Sequence, residues 1–426
     1  MTYDYDVRIA KAATLLRSAA LAGALILSRG ALAVIVAGGD GTQNTAAPAN
    51  LSYWNNIGLM PFGTGIYLGG DWVLTAEHVQ GGNNDGYAFV LPDLNGGAGA
   101  TFFPVSASQV QVPQAGGGGA DLSLFRLRDD PLLHTLPRVQ FGQTPAIGTS
   151  VTVVGSGLNR DTTLHTWKLS NPNPVLPVDP SHPENMVWTD VTGKPIAPNS
   201  VTFSGYLYGS GRSKRWGTNV TIDQGGGQPT QVGDNTNLFG TRFDSVDADS
   251  QLAPYDSGGS VFVNNRLVGL NLLNGTFSNE KNAALGQPAD TAVFKDESYY
   301  ANLADYVDDI ARITQLHPSV DGDANLDGLV NASDFKLLYK NLETGTKWSQ
   351  GDFNLDGQVN FEDFQIFERS FGLANTAAAL AAEGVDPGSI TGTQAPEPGA
   401  LAVVCVGMGG WMLSRRRGYC SAVSRA

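Results

Sequence analysis

Ala253-Pro-Tyr-Asp-Ser-Gly-Gly-Ser260 decides how the chain is read. It sets a serine hydroxyl on a turn, with Gly258 and Gly259 leaving room for another backbone to approach closely. A serine hydroxyl is a poor nucleophile at neutral pH unless a base takes its proton. Two stretches upstream supply the missing groups in order. Asp71-Trp-Val-Leu-Thr-Ala-Glu-His78-Val79 offers an imidazole after an apolar strand, and Ala120-Asp121-Leu-Ser-Leu-Phe-Arg-Leu127 offers a carboxylate at the head of an alternating strand. With 53 glycines in the chain, Asp-Ser-Gly-Gly alone would be a weak signal; the ordered set of three is a strong one.

In that order, His78, Asp121 and Ser257 resemble the triad of the chymotrypsin/trypsin-like serine proteases. The resemblance implies two six-stranded β-barrels with the site between them. It also implies His78 as general base, Asp121 as its orienting carboxylate, Ser257 as nucleophile, and the backbone N–H groups of Tyr255 and Ser257 as oxyanion donors. Two departures stand out. Tyr255 replaces the family's usual glycine, where a side chain restricts φ and threatens the oxyanion N–H, and Ser260 replaces a proline. By the same resemblance, Gln251 lies at the base of the substrate pocket, with Leu272, Leu273 and Asn274 along its wall. An uncharged Gln251 argues against a basic substrate side chain.

Punctuated strands at Asn56–Leu68, Trp72–Thr75, Tyr87–Leu91, Gln109–Val112, Leu122–Leu127, Val151–Gly155, Val201–Leu207 and Val220–Ile222 fit an all-β barrel fold. The long gap between Asp121 and Ser257 calls for an insertion, placed from Asp161 to about Asp234. Within it, Gly209-Ser-Gly-Arg-Ser-Lys-Arg215 reads as a solvated basic loop, with anion binding or self-cleavage as alternatives. Leu303, Tyr306, Val307 and Ile310 predict an amphipathic helix within Tyr299–Ile313 that closes a domain spanning 34–316.

A net charge of −14 argues against nucleic acid as a partner. The two cysteines, Cys405 and Cys420, leave the body of the chain free of disulfides. Basic residues, an apolar run from Ala19 to Leu27 and Ala31-Leu-Ala33 predict a signal peptide over 1–33. Cleavage there would expose Val34-Ile-Val-Ala-Gly-Gly39. In the resembled family, such an ammonium folds inward onto the aspartate before the nucleophile, here Asp256.

A duplication follows. Asp323-Ala-Asn-Leu-Asp-Gly-Leu-Val-Asn-Ala-Ser-Asp334 matches Asp352-Phe-Asn-Leu-Asp-Gly-Gln-Val-Asn-Phe-Glu-Asp363. Oxygen ligands stand at Asp323, Asn325, Asp327, Asn331 and Asp334, and again at Asp352, Asn354, Asp356, Asn360 and Asp363. Leu329 and Gln358 occupy the seventh position, which contributes a backbone carbonyl. Hard oxygens around a sharp glycine turn suit calcium, one ion per loop, two in all. The pair, over 319–373, resembles a small all-α dockerin type I domain, which implies a cohesin-like partner. Contact residues would be Ala332-Ser333 and Phe361-Glu362. A linker over 374–395 leads to Pro396-Glu-Pro398, an apolar run from Gly399 to Leu413 and Arg415-Arg-Arg417. Over 396–418 these resemble a PEP-CTERM sorting signal with a short transmembrane segment, which implies a membrane sorting peptidase and a secreted or envelope location.

The sequence thus leads to the expectation of a secreted serine endopeptidase acting on protein or peptide, with a dockerin module. A catalytically inactive protease fold serving as a surface binding or assembly module is the alternative.

Overall fold

The computed structural model describes residues 34–80, 87–114, 117–223, 231–232, 236–279, 281–372, 375–376 and 379. The expected signal peptide and sorting segment, and nearly all of the linker, lie outside the described residues. Among the described residues no helix is long and apolar enough to cross a membrane. The chain divides into two compact units, up to Pro318 and from Ser319 onward.

In the first unit, a short strand β1 (Ile35–Val36) precedes β2 (Ile57–Met60), β3 (Gly63–Gly69), β4 (Trp72–Thr75), β5 (Phe89–Leu91), β6 (Ala100–Phe102), β7 (Val110–Pro113) and β8 (Gly119–Arg126). The last seven form one antiparallel sheet in the order β6-β5-β2-β3-β4-β8-β7. It closes where Val105 N donates to the Arg126 carbonyl and Arg128 N to that of Phe103, at 2.7 and 2.9 Å. Six strands therefore make a barrel and β7 hangs on as a hairpin partner. The single strand expected over Asn56–Leu68 is two, β2 and β3, turned at Pro61-Phe62.

The next strand, β9 (Ser150–Gly155), opens a second barrel, but the chain first leaves it for β10 (Leu158–Arg160), β11 (His165–Ser170), β12 (Val187–Asp190) and β13 (Thr202–Arg212). It returns as β14 (Arg215–Ile222), β15 (Gln231–Val232), β16 (Thr236–Arg242), β17 (Ser250–Gln251), β18 (Ser260–Val263), β19 (Arg266–Gly275), β20 (Thr291–Val293) and β21 (Glu297–Asn302). The order β14-β9-β18-β19-β21-β16 closes through β14–β16, again six strands, around Val151, Val153, Phe239, Val261, Val268 and Tyr300. β15 is appended to β16, and β1 pairs with β17.

The insertion is thus shorter than expected: it ends before Arg215, because β14 belongs to the barrel. It is a sheet of its own, β10-β13-β11-β12 with β20 on β13, packed around Trp167, Leu169, Met186, Phe203 and Val293. The expected helix over Tyr299–Ile313 is also corrected. Tyr299, Tyr300 and Ala301 are paired in β21 between β16 and β19, so the helix is confined to α2 (Val307–Thr314), following the short α1 (Glu77–Gln80).

The second unit holds α3 (Ala332–Lys340) and α4 (Phe361–Phe371). Each begins inside its loop on a capping box, Asn331 with Asp334 and Asn360 with Asp363, which satisfies N-terminal backbone donors. Phe335 and Phe367 meet with ring centroids 5.8 Å apart, and Trp348 packs edge-on against Phe353.

Candidate active site

His78 sits on α1, directly after β4. Its Nδ1 lies 2.7 Å from Asp121 Oδ2, and its backbone N–H donates to Asp121 Oδ1 at 3.0 Å. Asp121 stands in β8, the neighbour of β4, so the sheet register itself places the carboxylate beside the imidazole. Partial burial disfavours the imidazolium, but the hydrogen bond and charge of Asp121, with Glu77, outweigh it and raise the His78 pKa above the ordinary 6.5.

The Asp-Ser-Gly-Gly turn comes from the second barrel and docks on β3. Thr64 N donates to the Ser257 carbonyl at 2.8 Å. Gly63 is wedged there: a Cβ on it would meet both that carbonyl and a Val79 methyl at 2.7 Å. Gly258, at φ +84°, has no room for a side chain either, since a Cβ would lie 2.0 Å from the Thr64 carbonyl. These contacts bring the nucleophile turn against the strands that carry His78. Ser257 Oγ donates to the Leu272 carbonyl at 3.2 Å, so its proton has to swing away from β19 before the base can take it.

Tyr255 adopts the left-handed backbone that favours glycine despite its side chain: its φ is +74°. A non-glycine residue there costs roughly 1–3 kcal/mol. The preceding carbonyl, Pro254 O, accepts from Leu158 N at 2.9 Å, and the Tyr255 carbonyl accepts from Thr64 Oγ1 at 3.1 Å. With both carbonyls held, the N–H groups of Tyr255 and Ser257 have no acceptor among the described residues. Two unspent donors on one turn are what an oxyanion requires.

Asp256 is buried. Its carboxylate accepts from Gly157 N at 2.7 Å and Ala253 N at 2.8 Å, and also from the Val34 backbone N–H. Burial pushes its pKa up to about 7. Val34 to Ala37 are buried, and the β1–β17 pairing holds them. Arg160 adds hydrogen bonds to the Val36, Gly38 and Gly39 carbonyls.

Of the sequence-assigned pocket residues, Gln251 is buried. Its Nε2 donates to the Glu297 carbonyl and its Oε1 accepts from Ser298 Oγ, which leaves neither amide atom free. Leu272 is also buried, Leu273 is half-buried and Asn274 is exposed. The basic stretch Gly209–Arg215 is the clearest correction. Its cations turn inward: Lys214 Nζ donates to the Trp54 and Ile57 carbonyls, Arg215 donates to the Gly41 carbonyl, and Arg212 spans four backbone carbonyls.

In the second unit, both loops gather their oxygens around a glycine with positive φ, Gly328 and Gly357. Gly328 N donates to Asp323 Oδ2 at 3.0 Å and Gly357 N to Asp352 Oδ2 at 2.9 Å. Asp334 and Asp363 each accept from backbone N–H groups at both ends of their loop. Burial, with neighbouring carboxylates adding to it, raises the pKa of Asp334 and Asp363, the latter to about 6. Crowded, desolvated carboxylates with amide oxygens beside them fit a hard divalent cation, which would relieve their repulsion.

Family models match two stretches: Trypsin over residues 36–174 and Dockerin type I domain over residues 321–372. The chain carries a trypsin domain and a dockerin type I domain. The trypsin match includes His78 and Asp121 but ends before the nucleophile turn, in the insertion that interrupts the second barrel. The two barrels give this unit a mostly β, chymotrypsin-like fold with few helices. Among solved structures, the chain is similar to neuropsin, a serine protease expressed in the limbic system of mouse brain. Identity is 14% over 62% of this chain and 94% of that one, with a TM-score of 0.32. No curated protein matches. Dockerin type I domains bind calcium, in keeping with the oxygen-rich loops.

Proposed function

We propose that the trypsin domain is an active serine endopeptidase using His78, Asp121 and Ser257. The observation that carries this reading is the combination of the 2.7 Å His78–Asp121 contact with two unspent N–H donors on the turn bearing Ser257. Ser257 Oγ attacks the scissile carbonyl as His78 Nε2 takes its proton. Asp121 holds Nδ1–H and stabilises the imidazolium, and the Tyr255 and Ser257 N–H groups receive the oxyanion. His78 then returns the proton to the leaving amine, and water repeats the sequence to release the acyl group.

Removal of residues 1–33 on export would make Val34 the terminus and place its ammonium on Asp256. The dockerin domain holds calcium, one ion per loop, through Asp323, Asn325, Asp327, Leu329 O, Asn331 and Asp334, and through the matching six residues of the second loop. Calcium neutralises the carboxylates and fixes the loops. The exposed Ala332-Ser333 and Glu362, with Phe361, sit at the helix starts where a cohesin-like partner would dock. Sorting through 396–418 to the envelope completes this reading.

The test is labelling of the secreted, Val34-initiated protein with a fluorophosphonate probe, beside Ser257→Ala and His78→Ala. Labelling that both substitutions abolish is expected. A folded, calcium-binding protein that stays unlabelled would move the weight to an inactive surface-binding module.

A further inference from the structure

Arg212 closes the inserted sheet at the end of β13, and every N–H of its guanidinium is spent. Nε donates to the Ser156 carbonyl at 2.9 Å, Nη1 to the Met60 and Pro61 carbonyls at 2.9 Å each, and Nη2 to the Gly63 carbonyl at 2.6 Å and Ser156 Oγ at 3.3 Å. The five donors lie in the guanidinium plane, so its face remains available. The guanidinium carbon lies over the Tyr255 ring, 4.6 Å from its centroid. Tyr255 is the residue held at φ +74° without being glycine. Its carbonyl is held by Thr64 Oγ1, which is also 2.6 Å from Ser156 Oγ, itself a partner of Arg212.

We infer that Arg212 is a positioning residue that clamps the Tyr255 ring and so keeps the Tyr255 N–H aimed at the oxyanion. The inference rests on the protease reading of this site. A trypsin-like turn with glycine at this position reaches its conformation unaided. This chain replaces the glycine and supplies an external clamp from the insertion, which makes the inserted sheet part of the catalytic centre. Arginine suits the role because one planar group can bind four backbone carbonyls in its plane and an aromatic ring on its face; lysine cannot do both.

The measurement is the second-order rate of fluorophosphonate labelling at Ser257, a reaction that places a developing oxyanion in the same hole. In the Tyr255 background, Arg212→Met slows labelling roughly 10–100-fold, less than or near the effect of removing an oxyanion donor outright. In the Tyr255→Gly background, where the backbone needs no clamp, the same substitution changes the rate by no more than about threefold. A merely structural Arg212 would slow both backgrounds equally, and that result overturns the inference. If Arg212→Met does not fold, judged by its melting curve, the comparison of Tyr255→Ala with the wild type decides. Both keep the same backbone strain and the five Arg212 bonds, but only tyrosine offers a ring to clamp, so alanine has to label clearly more slowly than the wild type; equal rates overturn the inference. Absence of labelling in the wild type overturns the protease reading and this inference with it. Labelling without coupling overturns this inference alone.

Discussion

His78 has to be neutral to act as a base, and its partner works against that at low pH. The Asp121 contact outweighs partial burial and raises the imidazole pKa above 6.5, so the rising limb of the kcat/KM profile lies above that value. In Asp121→Asn, the limb moves to lower pH and the rate falls by about 10⁴-fold, the size of a lost orienting carboxylate. A pH–rate profile of both proteins checks this; an unmoved limb would show that Asp121 does not act on His78. Asp256 carries a second expectation at this scale. In the Val34-initiated protein, Asp256→Asn removes the anchor of the nucleophile turn and slows fluorophosphonate labelling by about 10²-fold or more. His78, Asp121 and Ser257 could be singled out in the sequence because each sits in a short local motif, and the fold sets the first two 2.7 Å apart. Arg212, Lys214 and Arg215 could not be, because their acceptors are mostly backbone carbonyls up to some 170 residues away, at Gly41, Trp54, Ile57 and Met60. A carbonyl partner has no residue type to recognise. The available signal was a cluster of three cations in an acidic chain with no acid within the cluster.

At the scale of elements, each calcium loop is also the start of its helix. Asp363 caps α4 through Asn360 N and, at the other end, holds the Phe353 and Asn354 N–H groups. One carboxylate therefore joins loop closure, helix initiation and the proposed metal donor set. Asp363→Asn is expected to weaken calcium binding and melt α4, seen as loss of helical circular dichroism that excess calcium only partly restores. Chelation of the wild type should produce the same loss. A ligand at 1,000 times its Kd stabilises the folded form by about 4 kcal/mol, a large share of what so small a module has. Retained helicity after chelation would mean that the Phe335–Phe367 core holds the module without metal. The loops and their glycines were readable because the ligand spacing repeats. The helices begin inside the loops, at Ala332 and Phe361, because the capping boxes use the last loop carboxylates, Asp334 and Asp363. Strand existence was likewise readable from turn punctuation. Boundaries failed where long-range pairing decides them, as at Tyr299–Ala301, which precede the helical spacing and are paired in β21.

At the scale of the whole molecule, the trypsin unit buries the carboxylates of Asp249, Asp256 and Asp296. Desolvation pushes Asp249 and Asp256 up to about 7 and Asp296 up to about 8, against 3.8 in the unfolded chain. The folded state thus binds these protons more tightly than the unfolded state. Their contribution to stability is greatest below about pH 4, declines as pH rises toward 8, and is flat above that. Unfolding between pH 5 and 7 releases protons, and the melting temperature falls across that window. The two forms of the chain should differ in slope. While a peptide bond joins Ala33 to Val34, Asp256 is met by backbone N–H groups. With Val34 as the terminus, an ammonium faces it, the carboxylate is ionised throughout, and one proton leaves the balance. The slope of stability against pH then becomes shallower by up to one proton, about 1.4 kcal/mol per pH unit. Denaturant unfolding of both forms at several pH values between 5 and 7 measures this. Equal slopes would mean that the new terminus stays outside and that Asp256 anchors the nucleophile turn through backbone donors alone.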